Sequence, residues 1–172
     1  MTPPSIKETA PEIIHTPSGT GRRLNVLGTL AEIKVSSDQT GGAYAIWEDT
    51  VPPGGGPPPH VHQRENEDFY VLEGEFDIFR AEQPPLRAIT GSYIHTPKGM
   101  LHTFKNVGST TGRLLVLAVP GGMERFFDEI GHPIDPSVSA APAMPPGPPP
   151  PEVIRHVIET AQRYGIEIRP PS

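Results

Sequence analysis

His60 and His62 stand one residue apart at the end of a Gly/Pro-rich stretch, and their types and spacing suggest chemistry. Residues two apart in an extended strand point to the same side, so the two imidazoles would share one face. Glu67 begins the next β-rich run with the parity of Phe69, so its carboxylate is expected on the apolar face. A carboxylate buried among apolar groups is costly unless it is paired, and a metal cation would pair with it. Glu65 has the same parity, but it lies in the polar segment QREN and ranks second as a ligand.

A third imidazole is available from His102, which begins the segment HTFKN. Pro97 and Gly99 precede it and predict a tight turn that brings it to the start of a strand. The chain has no cysteine, so a metal must be held by histidine and carboxylate groups. Three neutral imidazoles and one carboxylate suit a divalent first-row ion: iron, manganese, nickel, cobalt, copper or zinc. We therefore predict one divalent transition metal per chain, and the ligand types do not select among these ions.

The composition narrows the class of protein. A chain of 172 residues suits one domain with its own core. The net charge of −6 comes without a basic stripe, which disfavours a nucleic-acid partner. No run of about 18 apolar residues could span a membrane, and the first residues lack the apolar stretch of a signal peptide. We expect a cytoplasmic protein with a small-molecule substrate and neither a nucleic-acid nor a membrane partner.

Turn signals divide the chain into three parts. Residues 24–120 consist of short β-rich runs separated by segments such as SSDQTGG and GSTTG, a pattern typical of an all-β sandwich or barrel that can hold one ligand. Residues 1–23 are predicted to form an N-terminal arm. Residues 121–172 are predicted to form a C-terminal extension: a short helix in MERFFDEIG, a proline-rich spacer, and a final amphipathic helix at 152–164 that docks on the outside of the barrel. The Gly/Pro run at 52–59 is expected to stiffen the approach to the first histidines.

Two stretches of the chain resemble the paired sequence motifs of the cupin superfamily. The matching positions are Gly54, His60, His62, Glu67 and Gly74 in the first motif and Gly91, Pro97, Gly99, His102 and Asn106 in the second. The resemblance covers about residues 24–120 and implies a double-stranded β-helix, a small jelly-roll barrel, in agreement with the strand pattern. The metal ligands that it implies are His60, His62, Glu67 and His102.

The segment VPGGMERFFDEIGHP, followed by a proline-rich spacer and a final helix, looks like the tail of single-domain quercetinase-like cupins. In those enzymes the metal holds a flavonol, and the ligating glutamate also takes the proton of the substrate's hydroxyl before dioxygen cleaves the ring. The resemblance implies that Glu67 is both ligand and catalytic base, in a metal-dependent dioxygenase acting on a small phenolic or enolisable substrate. Two other functions stay open: a metal-dependent isomerase or lyase acting on a sugar or keto acid, and a non-catalytic small-molecule-binding protein.

Several side chains of the barrel and extension are candidates for a substrate pocket, although core packing explains each of them equally well. These candidates are Tyr44, Ile46, Phe69, Phe76, His95, Phe104 and Phe126. Trp47 has the opposite parity to Ile46 and is expected to face a second subunit, while Glu48 and Asp49 are expected to be solvated. Sheet edges in small jelly rolls are commonly covered by a partner, so we expect a homodimer.

Overall fold

The computed structural model describes residues 12–135, 137–138 and 149–169. Residues 1–11 of the predicted arm and residues 139–148 of the predicted spacer lie outside this described part. The strands are β1 (Arg22–Val26), β2 (Thr29–Val35), β3 (Ala45–Val51), β4 (His60–His62), β5 (Asn66–Glu73), β6 (Glu75–Arg80), β7 (Gln83–Ile89), β8 (Tyr93–Thr96), β9 (Leu101–Asn106), β10 (Gly112–Val119), β11 (His132–Pro133) and β12 (Ile166–Ile168). The helices are α1 (Glu124–Ile130) and α2 (Pro151–Arg163).

The strands form two antiparallel sheets that enclose one hydrophobic core. The larger sheet has the order β11-β1-β2-β3-β10-β5-β8, and the smaller has the order β12-β4-β9-β6-β7. Several neighbours within a sheet are distant in the chain, since β10 lies between β3 and β5 and β4 pairs with β9. Such long connections between antiparallel strands are typical of a jelly roll. The predicted all-β, double-stranded β-helix is confirmed.

Side chains on β3 alternate strictly between the core and the outer face of the sheet. The buried positions on this strand are Ala45, Trp47, Asp49 and Val51. Ile46 and Glu48 lie on the other face, where Glu48 is ion-paired with Arg113 of β10 at 2.8 Å. The expectation that Trp47 faces a second subunit is therefore wrong, because β3 turns its odd-numbered residues towards the core.

The Gly/Pro run before β4 lies against β9 through its main chain. The Gly54 N–H donates to the Asn106 carbonyl at 2.9 Å, and the Asn106 N–H donates to the Gly55 carbonyl at 2.9 Å. Gly56 has φ +154°, and a Cβ atom there would lie 1.9 Å from the Phe104 carbonyl oxygen. Only glycine permits this close approach of two backbones, so the run places β4 at a fixed position beside β9.

The C-terminal extension contributes one strand to each sheet, which the sequence pattern did not predict. β11 pairs with β1 at the edge of the larger sheet. β12 pairs with β4, so that Ile166 lies opposite His62 and Ile168 lies opposite His60. The extension is thus joined by main-chain pairing to the strand that carries two of the predicted ligands.

Both predicted helices of the extension are present. The final helix begins with a proline, which suits the first position of a helix because its missing N–H has no partner there. Its C-terminal end contacts α1, where Arg163 and Tyr164 both bind the Glu129 carboxylate. The helix also reaches further inward than an outside position would imply, because Val157 is buried and lines an internal cavity. Within the described residues, neither helix is long and apolar enough to cross a membrane.

Candidate metal centre and its cavity

Three strands bring the four predicted ligands together inside the barrel. β4 carries His60 and His62, and the paired strand β9 places His102 directly opposite His60. Glu67 approaches them from β5 of the other sheet. All four side chains are buried, and the ring centroids of the three imidazoles lie 4.4 to 5.4 Å apart.

Backbone carbonyls orient two of the three imidazoles. The Nδ1–H of His60 donates to the Pro58 carbonyl at 2.8 Å, and the Nδ1–H of His102 donates to the Met100 carbonyl at 3.0 Å. A carbonyl oxygen can only accept, so Nδ1 carries a proton in each ring, and Nε2 is the nitrogen that could bind a metal. Such a second hydrogen bond fixes the tautomer of a metal-ligating histidine and holds its ring in place.

Glu67 lies among the imidazoles. Its Oε2 atom is 3.0 Å from His102 Nε2 and 3.2 Å from His62 Nε2. Both ring nitrogens of His62 are buried without a hydrogen-bond partner of normal geometry within the described chain. One donor atom from each of the four residues, His60 included, lies within 4.8 Å of the others. Buried nitrogen donors that converge on a carboxylate fit a divalent transition metal with three nitrogen ligands and one oxygen ligand.

The electrostatics of this group favour neutral His60 and ionised Glu67. Burial, reinforced by the neighbouring His62, lowers the pKa of His60 to about 4. Burial alone would raise the pKa of Glu67, but contacts with His62 and His102 outweigh it and hold that pKa well below its ordinary value. Burial likewise opposes protonation of His62, yet the Glu67 carboxylate outweighs it and raises the pKa of His62. A metal ion must therefore compete with a proton at His62, whereas His60 is ready to bind at neutral pH.

Glu65, the second-ranked ligand, lies behind His62 and outside the four-residue group. Its carboxylate is buried, and one oxygen is 4.0 Å from His62 Nδ1. Burial raises the pKa of Glu65, although the nearby His62 offsets part of that rise. When His62 binds a metal through Nε2, its Nδ1–H faces Glu65, so this carboxylate is placed to orient the ring.

A cavity of about 110 Å³ lies beside the ligands, and His60, His62 and Glu67 form part of its wall. The remaining lining is mostly apolar and comes from β1, β2, β3, β9, both helices and β12. The apolar side chains in it include Trp47, Phe104, Phe126, Phe127, Val157 and Ile166. Apart from the ligands, Thr29 and Asp49 supply the polar side chains of the described lining.

Asp49 enters the cavity wall from β3 and is only 8% exposed, so the expectation that it is solvated is wrong. Burial, together with the negative charges of Glu67 and Glu48, raises its pKa to about 8. The Trp47 indole N–H faces the carboxyl without a hydrogen bond of normal geometry and offsets part of this rise. A raised pKa favours the protonated carboxyl of Asp49, which can donate a hydrogen bond.

Two of the seven candidate pocket residues, Phe104 and Phe126, line this cavity. Phe69 and Phe76 are instead core residues behind Phe104, with ring centroids 5.6 and 5.9 Å from its ring. They support the cavity wall and do not form its surface. Phe69 lies on the same inward face of β5 as Glu67, but Glu67 is the residue of that face that reaches the cavity.

The other three candidates lie away from the cavity. Tyr44 precedes β3 and is 36% exposed, and Ile46 lies on the outer face of β3. His95 lies on the outer face of β8, where its Nδ1 contacts the Asp68 carboxylate at 2.5 Å. These three assignments to the pocket are corrected. Ile46 and His95 lie on the outer faces of their strands, and Tyr44 lies outside β3.

Trp47, Asp49 and the lining residues of the C-terminal extension other than Phe126 had not been predicted as cavity residues. The alternation of β3 contained the signal for Trp47 and Asp49, since Ala45 and Val51 share their parity. For Val157, the helical pattern predicted that α2 has a buried face, but it did not predict that this face covers the cavity.

Comparisons with known proteins agree with this geometry. Residues 47–118 match the family model of the cupin domain. The quercetin 2,3-dioxygenase of Bacillus subtilis (strain 168) is 28% identical over 118 residues, which cover 69% of this chain and 34% of that protein. The quercetin 2,3-dioxygenase of Aspergillus japonicus is 29% identical over 116 residues, covering 64% of this chain and 33% of that protein. This chain thus corresponds to about a third of the length of these curated relatives.

A solved structure shares the fold. The polyketide cyclase RemF from Streptomyces resistomycificus superposes with a TM-score of 0.54 and 24% sequence identity, over 62% of this chain and 80% of that chain. The sheet topology, the spacing of the histidines and glutamate, and the family match agree. They support the match of residues 47–118 to the cupin domain and the low-identity similarity of this chain to the quercetin 2,3-dioxygenases.

Proposed function

We propose that this chain is a metal-dependent dioxygenase that acts on a small phenolic or enolisable substrate. The observation that carries the proposal is the buried group of three histidines and Glu67, which forms part of the wall of a mostly apolar cavity. The low-identity relatives named quercetin 2,3-dioxygenase support the same reaction class.

The four ligands divide the work of the site. A divalent ion held by His60, His62, Glu67 and His102 would supply a Lewis acid that acidifies a coordinated hydroxyl and activates the substrate towards dioxygen. The backbone-bonded rings of His60 and His102 keep their Nε2 atoms in fixed positions. Glu67 is held ionised between two imidazoles, so its carboxylate is available to accept the hydroxyl proton of a substrate in the cavity. The apolar walls exclude water from the reacting groups.

The cavity supports a small and largely apolar substrate. An engineered apolar cavity of about 150 Å³ accepts benzene, so a cavity of about 110 Å³ suits at most a single aromatic ring. A flavonol would place one ring inside and extend the others beyond the described walls. A sugar isomerase or lyase would need several hydrogen-bonding groups around its substrate, whereas Thr29 and Asp49 are the polar side chains of the described lining besides the ligands.

Metal content and dioxygen uptake test the proposal together. Protein purified without added metal should contain close to one transition-metal ion per chain, and it should consume dioxygen with a flavonol or a simple enolisable phenol. His60→Ala and His102→Ala should lose both properties. His95→Ala is the matched control, because this histidine lies on the outer face of the barrel, and it should keep both. Metal-loaded protein that consumes no dioxygen with any of these compounds would exclude the dioxygenase and leave a non-oxidative or purely binding role.

We also propose that the chain forms a homodimer, as the sequence predicts. The support is the pair of edge strands β7 and β8, which end the two sheets and expose Leu86, Ile89 and Tyr93. Edge strands with exposed apolar side chains are surfaces that a partner commonly covers. Light scattering coupled to size-exclusion chromatography gives the mass directly, and the mass of one chain at all concentrations would exclude the dimer. A cytoplasmic location remains a prediction.

A further inference from the structure

Asp49 is a buried carboxyl group for which the four-ligand centre provides no role. It lies in the wall of the same cavity as His60 and Glu67, and no basic side chain forms an ion pair with it in the described structure. The Trp47 indole N–H interacts with this carboxyl but makes no hydrogen bond of normal geometry with it. A polar group buried without a firm partner costs stability, so it needs another explanation.

The register of the larger sheet separates Asp49 from the metal ligands. On β10, Leu114 lies opposite Asp49 of β3, while Ala118 lies opposite Glu67 of β5. Four residues along a strand correspond to about 13 Å. Because both side chains line one cavity, Asp49 lies towards the end of the cavity away from the centre.

We propose that Asp49 is a specificity-determining residue that hydrogen-bonds an oxygen atom of the substrate remote from the metal centre. This inference deepens the proposed function, because it narrows the substrate class to small phenols that carry a further oxygen function remote from the hydroxyl at the metal centre. One oxygen binds at the four-ligand centre, and a second hydroxyl or carbonyl group reaches Asp49 across apolar walls. A buried group that requires such a partner rejects analogues that lack it, since the carboxyl then stays unpaired.

Two catechols that differ by one remote oxygen test this directly. Zinc-loaded full-length protein is titrated with 4-(hydroxymethyl)catechol and with 4-methylcatechol under nitrogen in a calorimeter, so that binding is measured without oxidation. The wild-type protein should prefer the hydroxymethyl compound by about tenfold, the effect of one buried hydrogen bond. Asp49→Leu should abolish this preference by weakening the binding of the hydroxymethyl compound. Asp49→Asn keeps a hydrogen-bond donor and should keep the preference.

The control is Glu48→Gln, which changes the neighbouring carboxylate on the outer face of β3 and should leave the preference intact. Asp49→Ala is a second variant without the carboxyl group, in case leucine does not fit. The ratio of the two catechol affinities in the wild-type protein is decisive by itself. An affinity ratio near one in the wild type, or an unchanged affinity ratio in Asp49→Leu or Asp49→Ala, overturns the role of Asp49. Retained discrimination in protein that never consumes dioxygen would refute the dioxygenase alone, whereas dioxygen uptake without discrimination would refute the Asp49 inference alone.

Discussion

Replacing Asp49 by asparagine should change how the stability of the protein depends on pH. Burial and the negative charges of Glu67 and Glu48 raise the pKa of Asp49 from 3.8 to about 8. Between these values the folded state keeps a proton that the unfolded state has released, so wild-type stability falls as the pH rises. Asparagine has nearly the size of a protonated aspartate and does not ionise, so the variant escapes this loss. At about 1.36 kcal/mol per pH unit, it should gain about 2.5 kcal/mol over the wild type between pH 5 and pH 7.

The measurement is urea unfolding of the two metal-free proteins at pH 5, 6 and 7, followed by the fluorescence of Trp47, the single tryptophan of the chain. Taking the difference between the proteins cancels the pH dependence of the histidines, and any constant cost of the amide does not alter the slope. Glu48→Gln, on the outer face of the same strand, should show no comparable slope. A stability difference between Asp49→Asn and the wild type that is constant from pH 5 to pH 7 would mean that Asp49 ionises normally, and the reasoning would be refuted.

Four further changes test the architecture of the site. Glu65→Gln should weaken zinc binding about tenfold in a chelator competition, because the amide orients His62 less well; unchanged affinity would show that Glu65 does not orient the ring. Zinc affinity of the wild type should fall as the pH falls, because the raised pKa of His62 makes protons stronger competitors; a flat profile would contradict this. Gly56→Ala should lower the free energy of unfolding by about 3 kcal/mol, since its Cβ would overlap the Phe104 carbonyl; a loss below about 0.5 kcal/mol would show that the backbones separate easily. Ending the chain at residue 165 removes β12 and should weaken zinc binding by freeing β4; equal affinity would show that β4 is held by β9 alone.

Strand patterns sufficed to predict an all-β sandwich or barrel and the face on which each ligand lies, because both depend on short-range regularities. The jelly-roll fold and the full set of four ligands were implied by the resemblance to the paired cupin motifs. Period-two alternation places His60 and His62 on one face whatever the partner strand is. The parity of Glu67 with Phe69 fixes its face in the same way, and the turn at Pro97 and Gly99 ends one strand before the next begins. Each of these inferences uses information within about eight residues.

The inward face of β3 could not be predicted with the same ease. Tyr44 and Ile46 form an apolar set with one parity, and Trp47 has the other parity together with the acidic Asp49. Aspartate is rarely buried without a partner, so Asp49 argues against the inward face that Ala45 and Val51 support, and the two signals conflict. In the structure, the face with Trp47 is buried, and the indole packs against Phe127 of α1 with ring centroids 5.3 Å apart. That contact joins segments some 80 residues apart, and no local pattern contains it.

The cavity combines parts of different origin, and this determines what the relatives can indicate about the protein. His60, His62, Glu67 and His102 all lie within residues 47–118, the part that matches the cupin domain. Much of the apolar wall lies outside that match, in the β1–β2 hairpin, α1, α2 and β12. The cupin-domain match therefore covers the four predicted ligands, while much of the cavity wall, which would limit the size and polarity of a bound molecule, lies in segments that this match does not cover. Exchanging wall residues such as Val157 should accordingly change which phenol binds while leaving zinc affinity unchanged. Exchanging His102 should abolish both zinc binding and phenol binding.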